Sequence, residues 1–202
     1  RFLDITTPQA FALQSMIIYV FCISLIATAP VIAASQQLLA ADLWAGRFGR
    51  IRTLYLLTMV LCAIAGAAAG LVVFSSIFGF IGNDLLTSML SVSATSIVWP
   101  AVAFAATAKA FRTITFGFLC ALAVAIAATL AALRLGSGPM MQAFAFANGL
   151  ALAASFITVA VLRTFPSPAA DLRAVLKIIA RTAFDKRTII TGASFAVLAI
   201  WI

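Results

Sequence analysis

The chain has 202 residues, 65% of them hydrophobic and only 9% charged, with a mean hydropathy of +1.20. Soluble domains run about 45–50% apolar and about 25% charged, and a soluble fold of this length has no means of hiding the excess from water; the composition excludes a soluble domain and requires lipid as a second solvent. The formal charge of +8 comes from thirteen Lys and Arg against five Asp, with no Glu and no His. These cations lie in short segments between apolar runs, which argues against a nucleic-acid-binding face, and the missing His and Glu argue against metal sites and acid–base enzymes.

A bilayer core about 30 Å thick takes about 20 apolar residues of α-helix. The first uncharged stretch, residues 5–41, predicts a span over about 10–34. Pro30 removes a backbone hydrogen bond from it. Lipid tolerates that loss only where a neighbour or cavity water serves the freed carbonyl, so Pro30 is a candidate break or hinge. Gln36, Gln37 and Asp42 follow at the far end of this span, where interfacial solvation or capping accounts for them.

The second span, about 54–80, carries Gly66 and Gly70 in an Ala-rich run. This spacing of small residues predicts close helix packing inside the molecule.

The third span, about 85–108, is the most polar. Ser88, Ser91, Thr95 and Trp99 follow at intervals of three, four and four, and Ser93 and Ser96 widen the stripe. One helix face therefore carries all four. Such hydroxyls either let helices pack closely and hydrogen-bond across the interface, or line a wet pathway suited to sugar. On the pathway reading, bulky substitutions at Ser91 and Thr95 block transport and leave insertion intact. Pro100 is a second candidate break, and discontinuous helices often flank transport sites.

The fourth and fifth spans cover about 113–133 and 140–162, with the amides Gln142 and Asn148 in the latter. None of the five spans holds a charged side chain, so none offers the carboxylate that usually marks an intramembrane ion path. Cys22, Cys62 and Cys120 sit within apolar runs, where free Cys acts as a small hydrophobe, and no disulfide is expected. No phosphate-binding glycine loop, nucleophile elbow or metal-spaced cluster appears. Catalytic residues, cofactors and metals are expected to be absent.

Residues 1–163 thus form five transmembrane helices. Residues 164–187 have a different character: after Pro166 and Pro168, Leu172, Val175, Leu176 and Ile179 recur at helical spacing while Arg173, Lys177 and Arg181 fall on another face. This predicts a basic amphipathic linker helix on the cytoplasmic membrane surface, each cation worth about 1 kcal/mol near anionic lipid. Residues 188–202 read as the start of a sixth, truncated span.

Eleven of the thirteen cations fall in residues 41–52, 109–112 and 163–187. Lys and Arg accumulate in cytoplasmic loops, so these three segments are predicted cytoplasmic and the amino end periplasmic. A start outside without a signal peptide predicts a fragment with at least one preceding helix.

Two stretches carry a family resemblance: VWPAVAFAATAKAFRTITFGF, residues 98–118, and LRTFPSPAADLRAVLKIIARTAFDKRTIITGASFAVLAIWI, residues 162–202. Together with QQLLAADLWAGRFGRI, residues 36–51, they resemble the PelG-type exopolysaccharide exporter family of the multidrug/oligosaccharidyl-lipid/polysaccharide (MOP) flippase superfamily. The resemblance implies an all-α membrane protein, here one six-helix half of a twelve-helix transporter in which the five spans are the second to sixth helices. The chain departs from the family pattern at Gln37 and Leu38, where a Thr-Arg pair precedes the aspartate.

The resemblance implies export of a polysaccharide or lipid-linked glycan across the bacterial inner membrane by alternating access. Expected partners are the lipid bilayer, the glycan substrate and other exopolysaccharide-secretion proteins, with no nucleic acid. Rival readings are a non-transporting scaffold subunit of a larger complex, a drug antiporter of the same superfamily, which lacks its coupling carboxylate here, and an intramembrane enzyme, disfavoured by the missing His and Glu.

Overall fold

The computed structural model describes residues 7–165. Most of the predicted linker helix, including Arg173, Lys177 and Arg181, and all of the predicted sixth span lie outside the described residues. The described chain forms helices α1 (Thr7–Trp44), α2 (Phe48–Ser76), α3 (Gly82–Ser96), α4 (Val98–Thr107), α5 (Phe111–Arg134) and α6 (Pro139–Thr164). With α3 and α4 taken as one segment, Gly82–Thr107, five helices are long and apolar enough to cross a membrane.

Lipid is as apolar as leucine, so hydrophobicity cannot choose which face of a helix turns inward; size does. Helix α5 shows this. Its buried residues are Gly117, Ala121, Ala125 and Ala132, while Phe116, Leu119, Leu122 and Ile126 are exposed. The small stripe lies along α6, where a Cβ added at Gly149 would collide with the backbone of Ala125, 2.7 Å from its nitrogen. Gly66 and Gly70 do the same for α2 against α3: a Cβ on Gly70 would sit 3.2 Å from Met89 Cα, and one on Gly66 would overlap the Ser96 side chain.

These contacts pair early residues of one helix with late residues of the next, so the helices run alternately up and down. Among the described residues, Arg47, Arg50, Arg52, Lys109, Arg112 and Arg163 consequently gather at one end of the bundle and Arg134 lies at the other. Helices α1, α2 and α6 all pack on the α3–α4 segment, the most deeply buried of the five spans. The most polar span is therefore the central one.

Three of the turns share one hydrogen-bonding design. Arg47 N–H bonds to Asp42 O (2.8 Å), Ala110 N–H to Ala105 O (3.0 Å) and Ser137 N–H to Ala132 O (3.1 Å), each closing off a helix end with a residue at positive φ. Gly46 and Gly136 take that conformation without steric cost, and Lys109 takes it at φ 55. Helix α2 stops at Ser76, short of the predicted limit near 80, because Phe80 folds back. Its N–H bonds to Phe74 O at 3.0 Å and its ring stacks on Phe74, centroids 5.7 Å apart.

The two prolines behave differently. Pro100 is the third residue of α4, and its missing N–H deprives the Ser96 carbonyl of its helical donor; α3 ends at Ser96. The backbone at Ile97 keeps right-handed angles (φ −76, ψ −18), so the segment is interrupted but not turned back. Helix α1 runs through Pro30 without interruption, so of the expected break or hinge the break is absent there. One lost bond does not end a helix whose remaining carbonyls would otherwise face lipid unpaired.

Candidate functional site

The hydroxyl stripe of α3 lies inside the bundle. Ser88, Ser91, Thr95 and Ser96 are buried, and each hydroxyl donates to the carbonyl four residues back: Ser88 to Asp84 O (2.5 Å), Ser91 to Thr87 O (2.7 Å), Thr95 to Ser91 O (2.9 Å) and Ser96 to Val92 O (2.7 Å). A serine or threonine proton spent on its own helix needs neither water nor ligand. The spacing that promised one face is real, and in this structure that face is buried with its hydroxyls bonded to their own helix. Ser93 alone donates across to α2, at 3.0 Å from Ala63 O.

Trp99, the fourth residue of the stripe, has other surroundings. It lines a cavity of about 470 Å³ together with Leu25, Ala29, Ile32, Ala33, Gln36 and Gln37. The α1 members recur at intervals of three and four, so they form one stripe along that helix. Trp99 Nε1 donates to Ser24 Oγ at 3.0 Å, Ser24 Oγ donates to Phe21 O at 2.8 Å, and the Phe21 ring meets the indole edge-on at 6.1 Å. The indole is thus held by its polar edge and by a neighbouring ring.

The second polar element of the cavity is Gln36. Its Nε2 is buried and has no hydrogen-bond partner among the described residues. An amide N–H left bare in an apolar setting costs about 1–3 kcal/mol, so this atom calls for a partner beyond the described residues. Gln142 and Asn148 differ: Gln142 Nε2 donates to Ser137 O at 2.7 Å and Asn148 Nδ2 to Phe144 O at 2.9 Å. Gln36 lies six residues before Asp42, about 9 Å along the helix, and Leu25 about 25 Å from it. The groove therefore runs from the middle of α1 toward the Arg-rich end.

Around this groove the bundle is tied by bonds that sequence alone did not reveal. Ser35 and Thr58 join α1 to α2 at 2.8 Å, and Tyr55 and Thr158 join α2 to α6 at 2.6 Å. Asp42, expected to cap or to face the interface, has its side chain only 8% exposed and receives Arg47 Nε at 3.0 Å and Arg50 Nη1 at 3.6 Å. An acid in the last turn of α1 and arginines at the start of α2 each oppose their helix dipole; pairing them offsets both. The local sequence signal was the run Asp42, Arg47, Arg50.

Two further cavities lie on the outer surface. One of about 580 Å³ runs between α5 and α6 past Phe116, Phe156 and Arg163. The other, about 350 Å³, lies between the start of α1 and the end of α5. Among the described residues neither is lined by a buried side-chain polar atom without a partner, and this distinguishes the α1–Trp99 groove.

Comparison with known proteins gives a family match over almost the whole chain: residues 3–202 match the family PelG, described as an exopolysaccharide exporter (EPS-E). No curated protein and no solved structure matches.

Proposed function

The chain belongs to the PelG family of exopolysaccharide exporters, and from that premise we propose that its five spans are the second to sixth helices of a twelve-helix MOP-type transporter that moves a polysaccharide or lipid-linked glycan outward across the bacterial inner membrane. The observation that carries this reading is the family match along residues 3–202 of a chain with five helices able to cross a membrane. The Arg-rich end faces the cytoplasm in this reading, because cytoplasmic loops collect Lys and Arg. The glycan passes between this bundle and a second one, which alternately open to the two sides. The protein transports and does not catalyse, and it works beside other exopolysaccharide-secretion proteins.

Deleting the gene from its host and complementing it with the full-length protein is the test. The expected result is loss of cell-surface polymer with glycan retained inside, restored on complementation. Surface polymer that survives deletion overturns the reading. If the protein is instead a non-transporting scaffold, locking the two bundles together by a cross-link leaves export intact while deletion abolishes it. Cysteine labelling from the periplasm at position 47 tests orientation; the expected outcome is no labelling.

A further inference from the structure

We infer that the groove between α1 and Trp99 is a saccharide subsite, in which one sugar ring of the glycan lies on the indole of Trp99 and a hydroxyl or ring oxygen accepts the Nε2 proton of Gln36. The inference rests on the export reading and adds a location and a chemistry to it.

Three observations converge here. First, an aromatic face is electron-rich, and the polarised C–H bonds of a sugar ring seat against it. Such a platform needs a fixed ring, and Trp99 is held by Ser24 at 3.0 Å and Phe21 edge-on. Second, the buried Nε2 of Gln36 has a proton and no acceptor among the described residues. Sugars are dense in acceptors, whereas an acyl chain has none and would leave the amide bare. Third, the cavity of about 470 Å³ is within the usual size range of small-ligand sites, which are mostly apolar with a few placed polar groups. It holds no charged side chain. A neutral lining of one aromatic ring and amides suits a polymer that must bind and then move on, since a fully desolvated ion pair would hold it.

The groove's position suits the same role. It runs from the middle of α1 toward the Arg-rich end, so a glycan arriving from the cytoplasm meets Gln36 before Trp99. Ser88, Ser91 and Thr95, buried and internally bonded, take no part.

The test uses the full-length exporter in lipid nanodiscs, with oligosaccharides released from the host's own secreted polymer as the probe, and export measured in cells in parallel. Gln36→Leu keeps the side-chain volume and removes the amide; Trp99→Ala removes the platform; Trp99→Phe keeps a ring without the N–H. The expected result is binding weakened at least about fivefold by Gln36→Leu and at least about tenfold by Trp99→Ala, with Trp99→Phe closer to the parent protein. Export falls in the same order while membrane levels stay constant. Should Trp99→Ala fail to accumulate, Gln36→Leu decides alone. Parent-like oligosaccharide binding and export in Gln36→Leu overturn the subsite, as does a phospholipid acyl chain found filling the groove with oligosaccharide present. In both cases the parent protein still exports, so the export reading stands; if the parent fails to export, that reading itself falls.

Discussion

The hydroxyl face of α3 and the groove beside α1 are both polar patches in apolar helices, and they have opposite fates. On α3 four hydroxyls reach their own helix's carbonyl four residues back, so Ser88, Ser91, Thr95 and Ser96 are satisfied before any neighbour arrives. They pack as small residues. In the groove, the Gln36 amide is longer and has two protons, and its Nε2 has no partner among the described residues. The indole of Trp99 has one proton and uses it on Ser24, leaving the ring as a wall. In a membrane helix, self-satisfying hydroxyls mark packing, and a large polar group without a local partner marks a place where something else binds.

That contrast can be broken most directly by adding bulk to each region. Ser91→Phe places a ring where the side chain is fully buried, and overpacking costs about 1–3 kcal/mol, occasionally more; membrane levels and thermal stability in detergent should collapse together. Normal levels with blocked export would return α3 to the pathway. Gly66→Ala should cost about 1–3 kcal/mol through its collision with Ser96, and Ser96→Gly should restore most of it; thermal unfolding of the single and double variants measures the coupling. If the second change brings no recovery, the α2–α3 contact is looser than described.

Asp42→Asn leaves Arg47 half in water and removes the acid between the two arginines, so a loss of about 1–2 kcal/mol is expected, read as a drop in melting temperature. Groove changes should do less to stability: Ala33→Leu fills open space, shifting unfolding by under about 1 kcal/mol while reducing export. The smallest effect belongs to Thr95→Val. It deletes a hydroxyl that serves only its own helix, and both stability (within about 0.5 kcal/mol) and export should hold. A marked export defect in Thr95→Val would erase the distinction between the two regions.

The five spans were legible because length and apolarity alone define them in a bilayer. The α3 face was legible as a face, from spacing, but not as a packing surface: nothing in the order of Ser88, Ser91 and Thr95 says whether a neighbour or water lies opposite. Pro100 pointed within three residues of the break at Ile97, while Pro30 pointed to none, because a single proline decides nothing without its surroundings. Gln36 was read as an interfacial amide, since its significance depends on Trp99, sixty-three positions along the chain. Gly149 escaped notice in α6, where alanines at 143, 145, 147, 151, 153 and 154 offer many equivalent small-residue spacings. Only the backbone contact with Ala125 picks it out.

Helix α1, at 38 residues, is about 57 Å long, nearly twice the thickness of the apolar layer. A rod that overshoots its medium is a lever. A swing of about ten degrees near its middle displaces its two ends by about 10 Å relative to each other, in opposite directions. Because α1 is unbroken at Pro30, half of that displacement, about 5 Å, reaches the Arg47 turn and carries Gln36 with it.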